Sequence, residues 1–169
     1  MRRVLLASLS CLLAHAAGGG TILVKGRPFL AEVAVTEAEK VRGLMYRQFL
    51  AKDRCMILLF DEEGAHPVRM KNCMVPLDVA WVGVDGAVVE LAENIPPVPP
   101  RAKASEAEIP SHGGMVLSRH VVELPAGTIR RLGLKKGDRL GWDLTLDDGS
   151  VVKGGAASGK KPAKKAGRK

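Results

Sequence analysis

The sequence predicts a mainly β fold, one small antiparallel β-barrel or sandwich carrying one or two short helices. Three observations lead there. Short apolar runs recur along the chain, separated by Gly, Pro and Asp-Gly punctuation. The 169 residues include 19 Gly and 10 Pro, many of them clustered, which favours turns over long helices. No long helical pattern, no strand-helix alternation and no internal repeat at a fixed period is present. The length suits a single domain, which usually takes about 100–200 residues. Hydrophobic residues make up 46%, enough for a packed core. Aromatics make up only 4%, which argues against a broad stacking platform for nucleic acid or sugar.

The elements follow in order. Residues 17–27 are expected to be a flexible N-terminal segment, and residues 28–152 the β-rich domain. Phe29, Ala31, Val33 and Val35 alternate with other positions and predict a strand. Thr36-x-x-Glu39 is a capping box, and Ala38, Val41, Leu44 and Met45 follow at helical spacing, predicting a helix from about Glu37 to Tyr46. Met56 to Phe60 is continuously apolar and reads as a strand buried on both faces, ended by Asp61-Glu62-Glu63-Gly64. Val75 to Val84 and Ala87 to Leu91 flank Asp85-Gly86. That pair predicts a hairpin with a type I′ turn, which needs positive φ at both central residues. Asn94 to Pro110 holds five prolines and predicts an exposed loop. His120 to Leu124 is a strand, Thr128 to Leu132 one helical turn stopped by Gly133, and Leu140 to Leu146 a last alternating strand.

The formal charge of +8 belongs to the ends. Arg2, Arg3 and six basic residues from Lys160 to Lys169 account for all of it, leaving 18 basic and 18 acidic residues in 4–159. The domain is therefore neutral and makes no long-range field for a polyanion; nucleic acid is an unfavoured partner. The tail 153–169 contains only Lys, Arg, Gly, Ala, Ser and Pro, a composition that cannot build a core. Such a disordered basic tail suits either an anionic surface or a merely solubilising role.

The N-terminus has the three-part layout of a secretory signal. Met1-Arg2-Arg3 is basic, Val4 to Ala14 is apolar or small, and Ala14-His15-Ala16 fits a small-x-small cleavage rule. Residues 1–16 are expected to be a signal peptide, and the mature chain to be exported, periplasmic or extracellular. The apolar run is shorter than the roughly 20 residues a bilayer span needs, and no other segment qualifies. Removal of Cys11 leaves Cys55 and Cys73. An oxidising compartment and an even count suit a disulfide between them; two buried free thiols are the alternative.

Arg42-Gly43-Leu44-Met45-Tyr46-Arg47, Cys55 to Phe60, Met70-Lys71-Asn72-Cys73-Met74-Val75-Pro76-Leu77-Asp78, Val121 to Gly127 and Gly137-Asp138 together resemble the bacterial and archaeal family called domain of unknown function 192. The resemblance spans about residues 28 to 145, and the M-K-N-x-x-x-P-L-D block is its most specific part. It implies a small β-rich domain, often exported, with no established activity. Two departures stand out: Val68 and Arg69 replace the family's usual aromatic pair, and Cys55 replaces its usual Gly. Both cysteines lie in or beside family motifs, which adds some weight to the disulfide.

The candidate ligand-binding residues are Arg42, Lys71, Asn72 and Asp78. Lys71 would hold an anionic group, Asn72 would orient it, and Asp78 would pair with Arg42 or accept from a ligand hydroxyl. The competing reading is structural, with Asn72 and Asp78 bonding backbone N–H groups, Lys71 solvated, and Pro76 fixing the bend into the strand. Gly43, Met45, Met70 and Pro76 are expected to be structural motif positions. Arg42 and Arg47 would bind an anion, or else serve a helix end and pair with Asp53 or Asp61. His66, His112 and His120 are scattered, so no metal site is expected; Ser111-His112 lacks a nucleophile elbow. No catalytic residue and no cofactor is assigned. The preferred function is a non-enzymatic module binding a small ligand or an envelope component. The alternatives are a small hydrolase or transferase using Asp78 and Lys71 as an acid/base pair, and a structural accessory tethered by its basic tail.

Overall fold

The computed structural model describes residues 18–155. The expected signal peptide and the basic tail beyond residue 155 lie outside the described residues. The fold is mainly β, with ten strands and two short α-helices among the described residues. Among the described residues no helix is long and apolar enough to cross a membrane.

Gly19–Val24 forms β1, where a flexible segment was expected. The reason is parity: Ile22 and Val24 face one side of the sheet and are fully buried. Lys25 and Gly26 take φ of 52° and 74°, the two positive values a type I′ turn requires. They join β1 to β2, Arg27–Ala34, with Val24 opposite Arg27. Thr36 caps α1, Glu37–Arg42, as the capping box predicts. The Thr36 hydroxyl accepts from the Glu39 N–H at 3.3 Å, and the Glu39 carboxylate accepts from the Thr36 N–H at 2.8 Å. The helix stops four residues short of Tyr46, because Gly43 turns out of it at φ 44°, ψ −130°.

Helix α1 connects β2 to β3, Arg54–Gly64, and these two strands run parallel. One strand-helix-strand unit therefore exists where none was expected; every other strand pair is antiparallel. Asp61-Glu62-Glu63 continues β3 rather than ending it, through a register shift between Leu59 and Gly64. Strand β4, Val68–Arg69, later pairs with β7, Ser111–His112, in a small separate sheet.

Strand β5, Leu77–Val82, is buried at all six positions and pairs with β6, Val88–Ile95. The Asp85-Gly86 hairpin forms, but its turn is not type I′. Only Gly86 has positive φ, at 81°, and the Gly86 N–H donates to the Gly83 carbonyl at 2.9 Å. A positive-φ glycine closing a longer loop replaces the two-residue turn. Residues 94–110 contain two 3-10 turns, Pro100–Ala102 and Glu106–Glu108. Strand β8, Ser118–Pro125, leads into α2, Thr128–Leu132, which Gly133 terminates at φ 62°. Strands β9, Gly141–Thr145, and β10, Val151–Gly154, finish the sheet. Lys153 and Gly154, expected in the tail, pair with Asp143 and Trp142.

The main sheet has the order β10-β9-β1-β2-β3-β8-β5-β6 and does not close into a barrel. Its ends approach at one corner, where Val88 N–H donates to Asp138 O at 2.8 Å and Leu140 N–H to Gly86 O at 2.9 Å. Alternation along β3 sends Cys55 and Ile57 into one core and Met56 and Leu58 into another, so the sheet is covered on both faces. The first core also holds Phe29, Val122 and Trp142, and the second Met70, Leu77 and Trp81.

This layering removes the expected disulfide. Cys55 belongs to the first core and Cys73 to the second, with the sheet between them. Both are buried free thiols. Burial pushes each up to about 12, with Glu32 adding to the rise at Cys55 and Glu123 at Cys73.

Candidate functional site

A cleft of about 460 Å³ opens on the second face, between the C-terminal end of α1, β3, β8 and the 65–73 segment. Its floor is set by β8. Glu123 sits at the centre of the sheet, opposite Met56 on β3 and Val79 on β5. In an apolar strand its parity turns it toward the cleft, and only 6% of it is exposed. Its Oε2 has no hydrogen-bond partner. Burial pushes the Glu123 carboxyl up to about 7, since no neighbouring cation offsets the loss of water. An unpaired buried carboxyl costs stability.

Gly43 closes one side of that carboxyl. A Cβ there would lie 3.6 Å from Glu123 Oε2 and 3.7 Å from Oε1. The α1 terminus also delivers Arg42 and Met45 to the lining. Phe60, also in the lining, carries Lys40 of α1 over its ring, Nζ 4.5 Å from the centroid, and His66 stacked at 3.6 Å and 12°. His66 Nε2 is buried without a partner, and burial lowers the His66 pKa. The loop carrying His66 is fixed from behind, where Trp81 Nε1–H donates to the His66 carbonyl at 2.7 Å. Gly113 and Gly114 pack so closely on Trp81 and on the His66-Pro67 backbone that side chains there would collide. This packing gives Gly113-Gly114 a structural explanation.

At the mouth, Arg69 and Lys71 converge on Glu106. Arg69 reaches Glu106 Oε2 at 3.0 Å and Lys71 takes Oε1. The Lys71 hydrogen bond and the charges of Lys71 and Arg69 hold the Glu106 carboxyl below its ordinary range.

Two of the four expected ligand residues, Arg42 and Lys71, line this cleft; Asn72 and Asp78 do not. Asp78 is fully buried, accepting at Oδ1 from the Asn94 N–H at 2.8 Å and at Oδ2 from the Ile129 N–H at 2.7 Å. It ties β5 to the end of β6 and the start of α2, and it meets neither Arg42 nor Lys71. Asn72 turns the chain at φ 54°, and its side-chain amide donates to the Tyr46 hydroxyl at 2.9 Å. Among the motif positions, Gly43 and Met45 line the cleft, Met70 is fully buried in the second core, and Pro76 is exposed just before β5. Arg47 pairs in bidentate fashion with Glu32, at 2.8 and 2.5 Å, rather than with Asp53 or Asp61.

Glu123 is not among the residues expected from the sequence to bind a ligand. Its signal was present: a single acid inside Val121-Val122-Glu123-Leu124, where alternation buries every neighbour. What no local pattern conveys is that it lacks a partner.

The sequence profile of DUF192, described as an uncharacterized ACR, matches residues 21–142. No curated protein matches the chain. Among solved structures, one similar chain is a protein of unknown function from Novosphingobium aromaticivorans DSM 12444. It is 30% identical, with TM-score 0.62, over 72% of this chain and 82% of that one. Another, described as a "putative transcription regulator" from Sinorhizobium meliloti 1021, is 36% identical, with TM-score 0.57, over 73% of this chain and 91% of that one.

Proposed function

We propose, for a chain that belongs to the DUF192 family of uncharacterised proteins, that it is an exported, non-enzymatic module that binds a small polar ligand in the Glu123 cleft. The observation that carries the reading is the unpartnered, buried Oε2 of Glu123 at the floor of a cleft. A buried acceptor without a donor is a binding deficit that a ligand amine or hydroxyl makes good. The cleft volume of about 460 Å³ lies within the range of small-molecule sites, roughly 300–1,000 Å³. The segments that resemble the family converge here: Arg42 at the end of α1 with Gly43-Leu44-Met45 in the turn after it, Lys71 and Cys73 from the Met-Lys-Asn block, and Val121 and Glu123 from β8. The neutral balance of residues 4–159 favours a small ligand over a nucleic acid.

Export rests on the order of basic, apolar and small residues in 1–16. A mature chain recovered from outside the cytoplasm and beginning at Ala17 supports it, and an intact Met1–Ala16 segment on the working protein refutes it. For binding, a panel of small amines and polyols is screened against the full chain by ligand-detected NMR. The reading expects hits that vanish in Glu123→Gln while the fold persists by circular dichroism. A panel whose hits are indifferent to that substitution defeats it.

A further inference from the structure

The cleft mouth displays a carboxylate already in place, and it belongs to the protein. Lys71 and Arg69 each take one oxygen of Glu106. Glu106 lies on an exposed strap, residues 96–110, that joins β6 to β7. The strap does not need this side chain to hold its position. Arg69 also donates to the backbone carbonyls of Glu106 and Ile109, the latter at 3.2 Å. Ser105 caps the 3-10 turn, its N–H and hydroxyl both donating to Glu108 at 2.7 Å. Ile109 is buried. The Glu106 carboxylate is thus a removable occupant on a strap anchored by other contacts.

The two cations would otherwise face the same cleft whose floor is the unpaired Glu123. A cation pair at the mouth and a carboxyl at the floor define a site of opposite ends. We propose that Lys71 and Arg69 form a carboxylate subsite, that Glu106 fills it in the free protein, and that the ligand is a small carboxylate bearing an amine or hydroxyl at its far end. This rests on the binding reading above and adds the ligand's class and an internal competitor. The ligand's carboxylate takes the two cations in the bridging geometry that Glu106 now shows, and the amine or hydroxyl donates to Glu123 Oε2. Glu106 swings to solvent, to which 60% of its side chain is already exposed. Binding is therefore selective for molecules able to displace a tethered carboxylate, and the apparent dissociation constant of every carboxylate is the intrinsic one divided by the fraction of molecules in which the Glu106 side chain is swung out.

The test titrates the full chain with three probes, butanoate, butylamine and 4-aminobutanoate, by NMR chemical shift. In Glu106→Gln the affinity for butanoate and for 4-aminobutanoate is expected to rise about fivefold, the effect of freeing two partly exposed ion pairs. The gain is expected to disappear in the double variant Glu106→Gln, Lys71→Gln. Equal butanoate affinity in wild type and Glu106→Gln, absence of butanoate binding in both, or a gain that survives loss of Lys71 overturns the proposal. Butylamine separates the two readings, because it touches neither Lys71 nor Arg69. Its binding is expected to depend on Glu123 and not on Glu106. Butylamine binding untouched by Glu123→Gln defeats the floor assignment while leaving the Glu106 result to stand or fall on butanoate alone.

Discussion

Gly43 packs against the carboxyl of Glu123, and a Cβ on it would lie 3.6 Å from Oε2 and 3.7 Å from Oε1. The contact joins the end of α1 to the middle of β8, two segments far apart in the chain. It also joins two separate constraints. The backbone at Gly43, φ 44° and ψ −130°, is costly for any residue with a Cβ. The carboxyl beneath it has already lost its water. Gly43 thus both ends the helix and covers one side of the carboxyl at the cleft floor.

Replacing Gly43 by Ala is expected to destabilise the protein by about 2 kcal/mol, the usual cost of a side chain in such backbone. It is also expected to weaken ligands that reach Glu123. Urea unfolding read by tryptophan fluorescence gives the first quantity, and amine titration the second. A variant within about 0.5 kcal/mol of wild type, the range of ordinary surface changes, is incompatible with this account.

The two buried titrating groups of β8 should oppose each other in the pH dependence of stability. Burial raises Glu123 to about 7, so between its unfolded value and 7 the native state keeps a proton that the unfolded chain releases. Stability from this group therefore falls as pH rises through that window. Burial, aided by Arg119 and His66, lowers His120 to about 4, so the unfolded chain takes up a proton that the native state refuses. Stability from His120 therefore rises with pH across roughly the same interval. Each shift is worth about 3 kcal/mol, and in the wild type they largely cancel. Glu123→Gln is expected to remove only the falling contribution, so that the variant gains about 3 kcal/mol on wild type between pH 4.5 and 7.5. Urea midpoints at those two pH values check this, and parallel curves for the two proteins would refute the burial of an unpaired Glu123.

Asp78 is expected to behave as a structural residue and not as half of an acid/base pair. An Asn there keeps one acceptor but turns an amide toward either the Asn94 or the Ile129 N–H, both of which now donate to the carboxylate. Asp78→Asn should cost about 2–4 kcal/mol through that unpaired buried donor. At temperatures where the variant is still folded, butylamine affinity should match wild type. A ligand-binding loss without a stability loss would return Asp78 to the site.

The sequence alone determined the local features whose physics is local. The capping box fixed where α1 begins, and alternating or continuous apolar runs marked β2, β3, β5, β6, β8 and β9. Those signals span few residues and depend on the backbone's own periodicity. The turn type at Asp85-Gly86 was not legible, because the register of β5 against β6 chose the loop length. Nor was β1, whose Gly-rich start conceals two core positions, Ile22 and Val24. Spacing left a Cys55–Cys73 bond open, and only the two-sided sheet, with a separate core on each face, forbade it. Within the site, Arg42 and Lys71 were found by charge beside a motif, whereas Asp78 was a carboxylate whose partners came from distant backbone. Only the tertiary structure decided which acid is satisfied and which is not. Asp78 is met by two N–H groups and Glu123 Oε2 by none. That difference depends on what the fold brings to each oxygen, and the residue type does not encode it.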